Sequence, residues 1–202
     1  MKKNKLPIIT NILLVLLETI GLIITYIVNK KIPIEYYTEL SNIFSLIITI
    51  IYLYYLFNNK KITKLIQLLK YTSVLCLTIT FIIVIFVLAP MDNFNYKWFL
   101  FNGDFIFYHF LCPILSFISF MFIEKYDKFT FKDNIRSLYP TFIYSIVLVI
   151  LNIIGLITGP YPFLEVRNNS IITSLIWFII LISFMFGLSN LLTYLKNKTR
   201  YN

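Results

Sequence analysis

Long apolar runs, separated by short polar connections, dominate the chain. Each run is close to the length that an α-helix needs to cross a hydrocarbon core of about 30 Å. Runs this long and continuously apolar predict helices, because a helix satisfies its backbone hydrogen bonds within one segment. We predict six membrane-spanning helices, at residues 8–28, 37–57, 71–89, 105–123, 140–158 and 171–192.

The composition supports a protein that lies almost wholly within a membrane. Of the 202 residues, 59% are hydrophobic and only 13% are charged, and the mean hydropathy is +0.81. Soluble domains are less apolar than this. No flexible linker or low-complexity tract interrupts the chain. We therefore expect residues 1–202 to form a single all-α domain, a bundle of six transmembrane helices whose first helix is retained.

The basic residues predict an orientation. They concentrate in the N-terminal segment, the second and fourth connections and the C-terminal tail, whereas the other side has only Lys30, Lys31, Lys97 and Arg167. This bias places both termini in the cytoplasm. The net charge of +9 is dispersed over short connections, so we expect no nucleic-acid partner. The fourteen basic residues on the side of the termini are Lys2, Lys3, Lys5, Lys60, Lys61, Lys64, Lys70, Lys125, Lys128, Lys132, Arg136, Lys196, Lys198 and Arg200.

Two polar residues fall deep inside apolar runs. Glu18 lies about eleven residues into the first helix, near the bilayer midplane, and Asn152 lies at a similar depth in the fifth. An unpaired carboxylate at that depth is costly, by about 2.5–3.5 kcal/mol on insertion scales for Asp. Glu18 is therefore expected to be protonated or to face a polar neighbour such as Asn152. A structural hydrogen bond and a functional role both fit.

The only histidine, His109, lies near the start of the fourth predicted helix. Thr38 lies near the start of the second, where Thr38 and Asn42 share a face with Ser45. Both helices begin on the outer side, so Thr38 and His109 lie at matching depth. A hydroxyl facing an imidazole is a minimal nucleophile–base pair. Interhelical packing and a structurally satisfied histidine are the competing interpretations. One histidine gives no metal-ligand spacing, and we predict neither a metal nor a cofactor.

Three segments resemble one family. The segments are residues 37–42 (YTELSN), 108–113 (YHFLCP) and 160–166 (PYPFLEV). Together they resemble the bacterial family of predicted six-transmembrane integral membrane proteins, with its Thr and Asn at the second helix and its His and Pro at the fourth. Two departures are mild: Gly159-Pro160 stands where the family often has an aromatic pair, and Glu165 replaces an Asp.

That family is distantly similar to the androgen-induced and androgen-dependent multipass proteins. Those are threonine hydrolases that cleave fatty acid esters of hydroxy fatty acids. The resemblance implies that Thr38 is a nucleophile and His109 its base. It also implies a membrane lipid or acyl-chain substrate near the outer leaflet, in the plasma membrane of a bacterium.

Several neighbours could support such chemistry. Ser41, Asn42 or backbone N–H groups could stabilise an oxyanion, and one of three carboxylates could orient the imidazole. The aromatic segment from Tyr161 to Phe163 could cover the site, or it could form only a rigid turn shaped by proline. The three candidate carboxylates are Glu35, Glu39 and Asp104.

Two other function classes remain open from the sequence. A small-molecule transport component would place Glu18 and Asn152 along a site at the midplane. A non-catalytic membrane scaffold would need neither these residues nor the Thr38–His109 pair.

Overall fold

The computed structural model describes residues 5–199, and this part of the chain is all-helical, without strands. It contains six helices that are long and apolar enough to cross a membrane, which confirms the six predicted helices and is compatible with a multipass membrane protein. A further short helix, Tyr96–Phe101, is not one of these six. In chain order the helices are α1 (Leu6–Asn29), α2 (Tyr37–Phe57), α3 (Lys64–Met91), α4 (Tyr96–Phe101), α5 (Ile106–Ile123), α6 (Phe131–Ile153) and α7 (Ile171–Thr199).

The predicted start of the third helix, at residue 71, is wrong. The Thr63 side chain accepts a hydrogen bond from the Ile66 N–H at 3.3 Å, which caps the helix and starts it at Lys64. A capping hydroxyl of this kind satisfies one of the N–H groups that a helix start leaves unpaired. Lys70 is therefore not a connection residue, as predicted, but lies fully buried inside α3.

The bounds of the fifth predicted helix also shift. A capping box between Thr130 and Asp133 starts α6 at Phe131, nine residues before the predicted start. At the other end, Gly155 adopts a φ of +79°, in the left-handed region that ends helices. The helix consequently ends at Ile153 rather than at residue 158.

The described chain divides into two compact units. Unit 1 comprises residues 5–128 and 195–199, and unit 2 comprises residues 129–194. Unit 1 contains α1 to α5. A single integral membrane domain remains a prediction.

Unit 1 buries polar side chains and exposes apolar ones. On α1 the buried stripe runs through Asn11, Glu18 and Thr25, whereas large apolar residues such as Ile23 and Ile27 are more than half exposed. Because lipid is as apolar as leucine, helices in a membrane associate through close packing and hydrogen bonds rather than through apolar burial. The polar interior of unit 1 is the arrangement that this environment favours.

Helix α5 contains two π-helical turns, Ile106–Leu111 and Ser119–Ile123, on either side of the α-helical segment Cys112–Ile118. Pro113 has no N–H to donate, so it cannot close the hydrogen bond to the carbonyl four residues earlier. A wider turn before the proline accommodates this loss. His109 lies within that first π-helical turn.

Unit 2 has its own polar contacts. The Asn134 Nδ2 donates to Asn190 Oδ1 at 2.8 Å, and the hydroxyls of Ser137 and Ser189 lie 3.3 Å apart. These contacts join α6 to α7. A 3₁₀ turn, Pro162–Leu164, lies in the connection between the two helices.

Candidate functional site

Thr38 and His109 meet inside unit 1. Thr38 lies in the first turn of α2 and His109 in α5, and both side chains are buried, with 6% and 4% of their surface exposed. The Thr38 Oγ1 is 3.3 Å from the His109 Nε2. The structure therefore brings together the two residues that the sequence places at matching depth.

The other ring nitrogen sets the direction of this contact. The His109 Nδ1 is 2.6 Å from the backbone oxygen of Phe99. A carbonyl oxygen only accepts, so Nδ1 carries the hydrogen and donates it to Phe99. In the neutral ring Nε2 is then the acceptor, and the Thr38 hydroxyl donates to it. A hydroxyl that donates to an imidazole is the arrangement of a nucleophile with its general base.

The Phe99 carbonyl is available because α4 ends just after it. The last four carbonyls of a helix have no intrahelical donors, and α4 spans only Tyr96–Phe101. Asn95 starts this helix by accepting from the Trp98 N–H at 3.3 Å. Sequence reasoning missed Phe99, since a backbone carbonyl leaves no trace in residue type. The Asn95 cap was the one signal of a helix there.

The three carboxylates expected near the imidazole differ in their surroundings, and only Asp104 is known to interact with His109, through its charge. Asp104 Oδ2 accepts from the Thr25 hydroxyl of α1 at 2.5 Å, and Glu35 lies 3.3 Å from Lys31 in an exposed ion pair. Glu39 is buried, and its Oε2 has no hydrogen bond within the described chain. The partner of the His109 Nδ1, which was expected to be one of these carboxylates, is the Phe99 carbonyl instead.

The side chains of Ser41 and Asn42 form hydrogen bonds to the backbone of their own helix, α2. The Ser41 Oγ and the Asn42 Nδ2 both donate to the Thr38 carbonyl, at 3.0 and 2.9 Å. Ser41 also lies 3.1 Å from the Thr80 hydroxyl of α3. These contacts fix the turn that carries Thr38. Their role in stabilising an oxyanion stays a prediction.

An aromatic ring covers the imidazole. Phe105 stacks on His109 with ring centroids 4.7 Å apart and planes inclined by 24°. Trp98 packs edge-on against Phe105 at 6.4 Å. These rings remove the imidazole from water, and in a dry environment hydrogen bonds to a reacting group are stronger.

A second polar cluster, which the sequence analysis did not identify, lies around Glu124. The Asn11 amide and the Ser119 hydroxyl each donate to Glu124 Oε1 at 2.7 Å, and the Tyr126 hydroxyl donates to Oε2. Burial raises the pKa of Tyr126, which keeps its phenol protonated as a donor. Glu124 appears in the sequence as one charge in a polar connection, so residue type alone gave no signal.

Lys196 joins the same region of unit 1. Its Nζ donates to the backbone oxygens of Phe120, Met121 and Glu124 at 2.5, 3.2 and 2.7 Å. Phe120 and Met121 belong to the π-helical end of α5 and Glu124 follows it directly, and the last carbonyls of a helix have no intrahelical donors. The Lys196 side chain was expected in the C-terminal tail, but it caps α5 instead.

The intramembrane residues predicted from the sequence have different surroundings. Glu18 is fully buried in α1, where its carboxyl lies near the Ser45 hydroxyl of α2 and interacts electrostatically with Lys70 of α3. Asn152 belongs to unit 2, where its Nδ2 donates to the Ile157 oxygen at 3.2 Å and its Oδ1 accepts from the Arg167 N–H at 3.1 Å. Asn152 thus uses both ends of its amide at the end of α6.

Tyr161 and Phe163 also belong to unit 2. Their rings stack with centroids 5.2 Å apart, and Phe163 contacts the Trp177 ring at 5.7 Å. The connection is therefore held by its own aromatic contacts. A covering role over the site stays a prediction.

The described residues contain no group of three or more His, Cys, Asp or Glu side chains that could hold a metal ion. Around Thr38 and His109 the structure shows a hydroxyl within hydrogen-bond distance of an imidazole. Comparison with protein-family models, curated proteins and solved structures gave no match. The resemblance to the six-transmembrane family and to the threonine hydrolases stays a prediction.

Proposed function

We propose that unit 1 is a membrane-embedded ester hydrolase in which Thr38 is the nucleophile and His109 the general base. The observation that carries this proposal is the 3.3 Å contact between Thr38 Oγ1 and His109 Nε2. The bond from Nδ1 to Phe99 supports it, because it leaves Nε2 free to accept the threonine proton.

The reaction follows from these positions. His109 Nε2 takes the hydroxyl proton as Thr38 Oγ1 attacks the ester carbonyl. The resulting imidazolium returns that proton to the departing alcohol, which leaves an acyl ester on Thr38. Water then attacks this ester while His109 accepts a water proton. Release of the fatty acid returns the proton to Thr38 and restores the starting state.

The start of α2 is suited to the negative charge that develops on the carbonyl oxygen. The first N–H groups of a helix have no intrahelical acceptors, and the helix dipole favours negative charge at this end. Thr38 itself lies in this first turn. One well-placed donor contributes about 2.7–4 kcal/mol to such a transition state.

The surroundings favour a lipid ester as the substrate. The rings of Phe105 and Trp98 lie beside the imidazole, and the outward faces of the helices are apolar. An acyl chain dissolved in the bilayer matches these surfaces. Charged soluble esters do not.

The distribution of basic residues indicates which leaflet the proposed site is near. With Lys70 inside α3, thirteen basic residues remain on the side of the termini, against four on the other side. This bias supports cytoplasmic termini and, with the expected location in the plasma membrane of a bacterium, a site near the outer leaflet.

A fluorophosphonate probe tests the proposal, because it reacts with activated hydroxyl nucleophiles. The purified protein in detergent should be labelled at Thr38, and Thr38→Ala and His109→Ala should each abolish labelling. Thr19→Ala is the matched control, since Thr19 is an exposed threonine of α1 and should leave labelling unchanged. Thr38→Ser should remain labelled. Labelling that survives both Thr38→Ala and His109→Ala would overturn the proposal.

A further inference from the structure

Buried polar side chains continue from the Thr38–His109 pair through unit 1. On α2 they recur at successive turns, with Asn42, Ser45 and Thr49 all fully buried. From Thr38 to Tyr52 this row covers about 21 Å of helix at 1.5 Å per residue. A row of this length spans most of a hydrocarbon core.

Several atoms in this interior have no hydrogen-bond partner in the part of the chain that the structure describes. They include both carboxyl oxygens of Glu18, the hydroxyls of Ser45 and Ser116, and the Asn42 Oδ1. All four side chains are fully buried. The Glu18 carboxyl and the Ser45 hydroxyl are close enough to interact with each other. Together these oxygens, which lie on three helices of one unit, make the interior of unit 1 polar along the row.

The neighbours of Glu18 are polar on three sides. Its carboxyl interacts with Ser45 from α2 and with the charge of Lys70 from α3, and Cys112 of α5 lies within its electrostatic range. Lys70 and Cys112 are the titratable groups that face it. Lys70 is fully buried and donates to the Thr49 hydroxyl at 3.0 Å.

Lys70 connects Glu18 to the cluster at the other end of unit 1. It interacts electrostatically with both Glu18 and Glu124. Glu124 in turn binds Asn11, Ser119 and Tyr126. Ionisable groups thus occur at intervals along the row, with serine and threonine hydroxyls between them.

We infer that unit 1 conducts protons along this row, between the Glu124 cluster and the Thr38–His109 end, and that Glu18 is the central proton-binding group. Serine and threonine hydroxyls donate and accept, so they relay a proton without holding a charge. Each transfer removes one proton from a donor and adds it to the next acceptor, and Glu18 returns to its starting state. Ionisable residues inside membrane helices mark such pathways.

Proton flux into liposomes tests this inference. The full-length protein is reconstituted into liposomes that enclose a pH-sensitive dye, and a potassium gradient with valinomycin drives protons inward. We expect acidification clearly faster than in protein-free liposomes. Glu18→Gln should reduce the rate at least tenfold, to the protein-free level, whereas the exposed carboxyl variant Asp92→Asn should match the wild type.

Two results would overturn the inference: a wild-type rate equal to that of protein-free liposomes, or an unchanged rate in Glu18→Gln. Should Glu18→Gln fail to elute as a single species, dicyclohexylcarbodiimide decides the question on the wild type, because it modifies protonated carboxyls in apolar surroundings. Loss of flux together with a mass label on Glu18 supports the inference. Flux that persists in the fully labelled protein contradicts it. Probe labelling at Thr38 is read separately, so the two proposals stand or fall independently.

Discussion

Gly21 of α1 lies against the helix that carries His109. A Cβ atom added at this position would lie 2.6 Å from the Tyr108 Cε1 and 3.2 Å from the Phe107 Cβ. Ordinary carbon contacts lie at about 3.5–4.0 Å, so Gly21→Ala requires a shift of about 1 Å. Tyr108 is fully buried, so its ring cannot move out into the surroundings of the bundle. We therefore expect the π-helical turn that carries His109 to shift.

The expected magnitude separates this effect from helix propensity. Alanine in a helix interior is about 0.5–1 kcal/mol more favourable than glycine, whereas overpacking of a core costs about 1–3 kcal/mol. At Gly21 the cost of overpacking should exceed the gain in helix propensity, so Gly21→Ala should be destabilising. At Gly187 of α7 an added Cβ meets nothing within 4 Å, so Gly187→Ala should be neutral or stabilising. The two substitutions are chemically identical and should have opposite signs.

The measurement is the rate of fluorophosphonate labelling together with the midpoint of thermal unfolding in detergent. A misplacement of about 1 Å at a reacting group costs about 100-fold in rate. Gly21→Ala should therefore be labelled about 100-fold more slowly and unfold at a lower temperature, with Gly187→Ala close to the wild type on both measures. Wild-type labelling and an unchanged midpoint in Gly21→Ala would refute the reasoning.

Two further predictions concern stability and orientation. Lys196→Met leaves three backbone carbonyls without their donor, and each buried polar group left unsatisfied costs about 1–3 kcal/mol. Thermal unfolding can be monitored with a maleimide dye that reacts with the buried Cys76 and Cys112 thiols once they become exposed. The unfolding midpoint of Lys196→Met should fall by about 10 °C, whereas that of the exposed Lys198→Met should change little. Equal effects of the two substitutions would contradict the capping role. In intact cells, an impermeant maleimide should label Asn93→Cys but not Asn59→Cys, and the reverse pattern would refute cytoplasmic termini.

The helices were predictable because hydropathy and length are properties of the chain alone. All six runs form helices, but the ends depend on local caps. The apolar run placed Lys70 just outside the third helix, whereas the Thr63 cap starts that helix at Lys64, seven residues before the predicted start. A lysine at the end of an apolar run suggests a boundary. Here its neighbours Thr49 and Glu124 allow the charge to be buried.

The candidate site was predictable only in part. Thr38 and His109 could be paired because helix direction and the rise per residue give depth. Phe99 could not be predicted, since the contact uses its carbonyl and depends on where the short helix α4 ends. The Lys196 contacts could not be predicted from residue types either, because all three of its acceptors are backbone oxygens.

The π-helical turn at Ile106–Leu111 also sets the angular phase of α5. A π-helical turn closes its hydrogen bonds across five residues rather than four, so it accommodates one more residue than an α-helical turn. One residue corresponds to about 100° of rotation around the helix axis. Loss of Phe110 or Leu111 from this turn would rotate His109 away from α2 while Cys112–Ile118 kept its packing. The contact between threonine and histidine thus depends on helical register, and a one-residue deletion would abolish it although Thr38 and His109 both remain in the sequence.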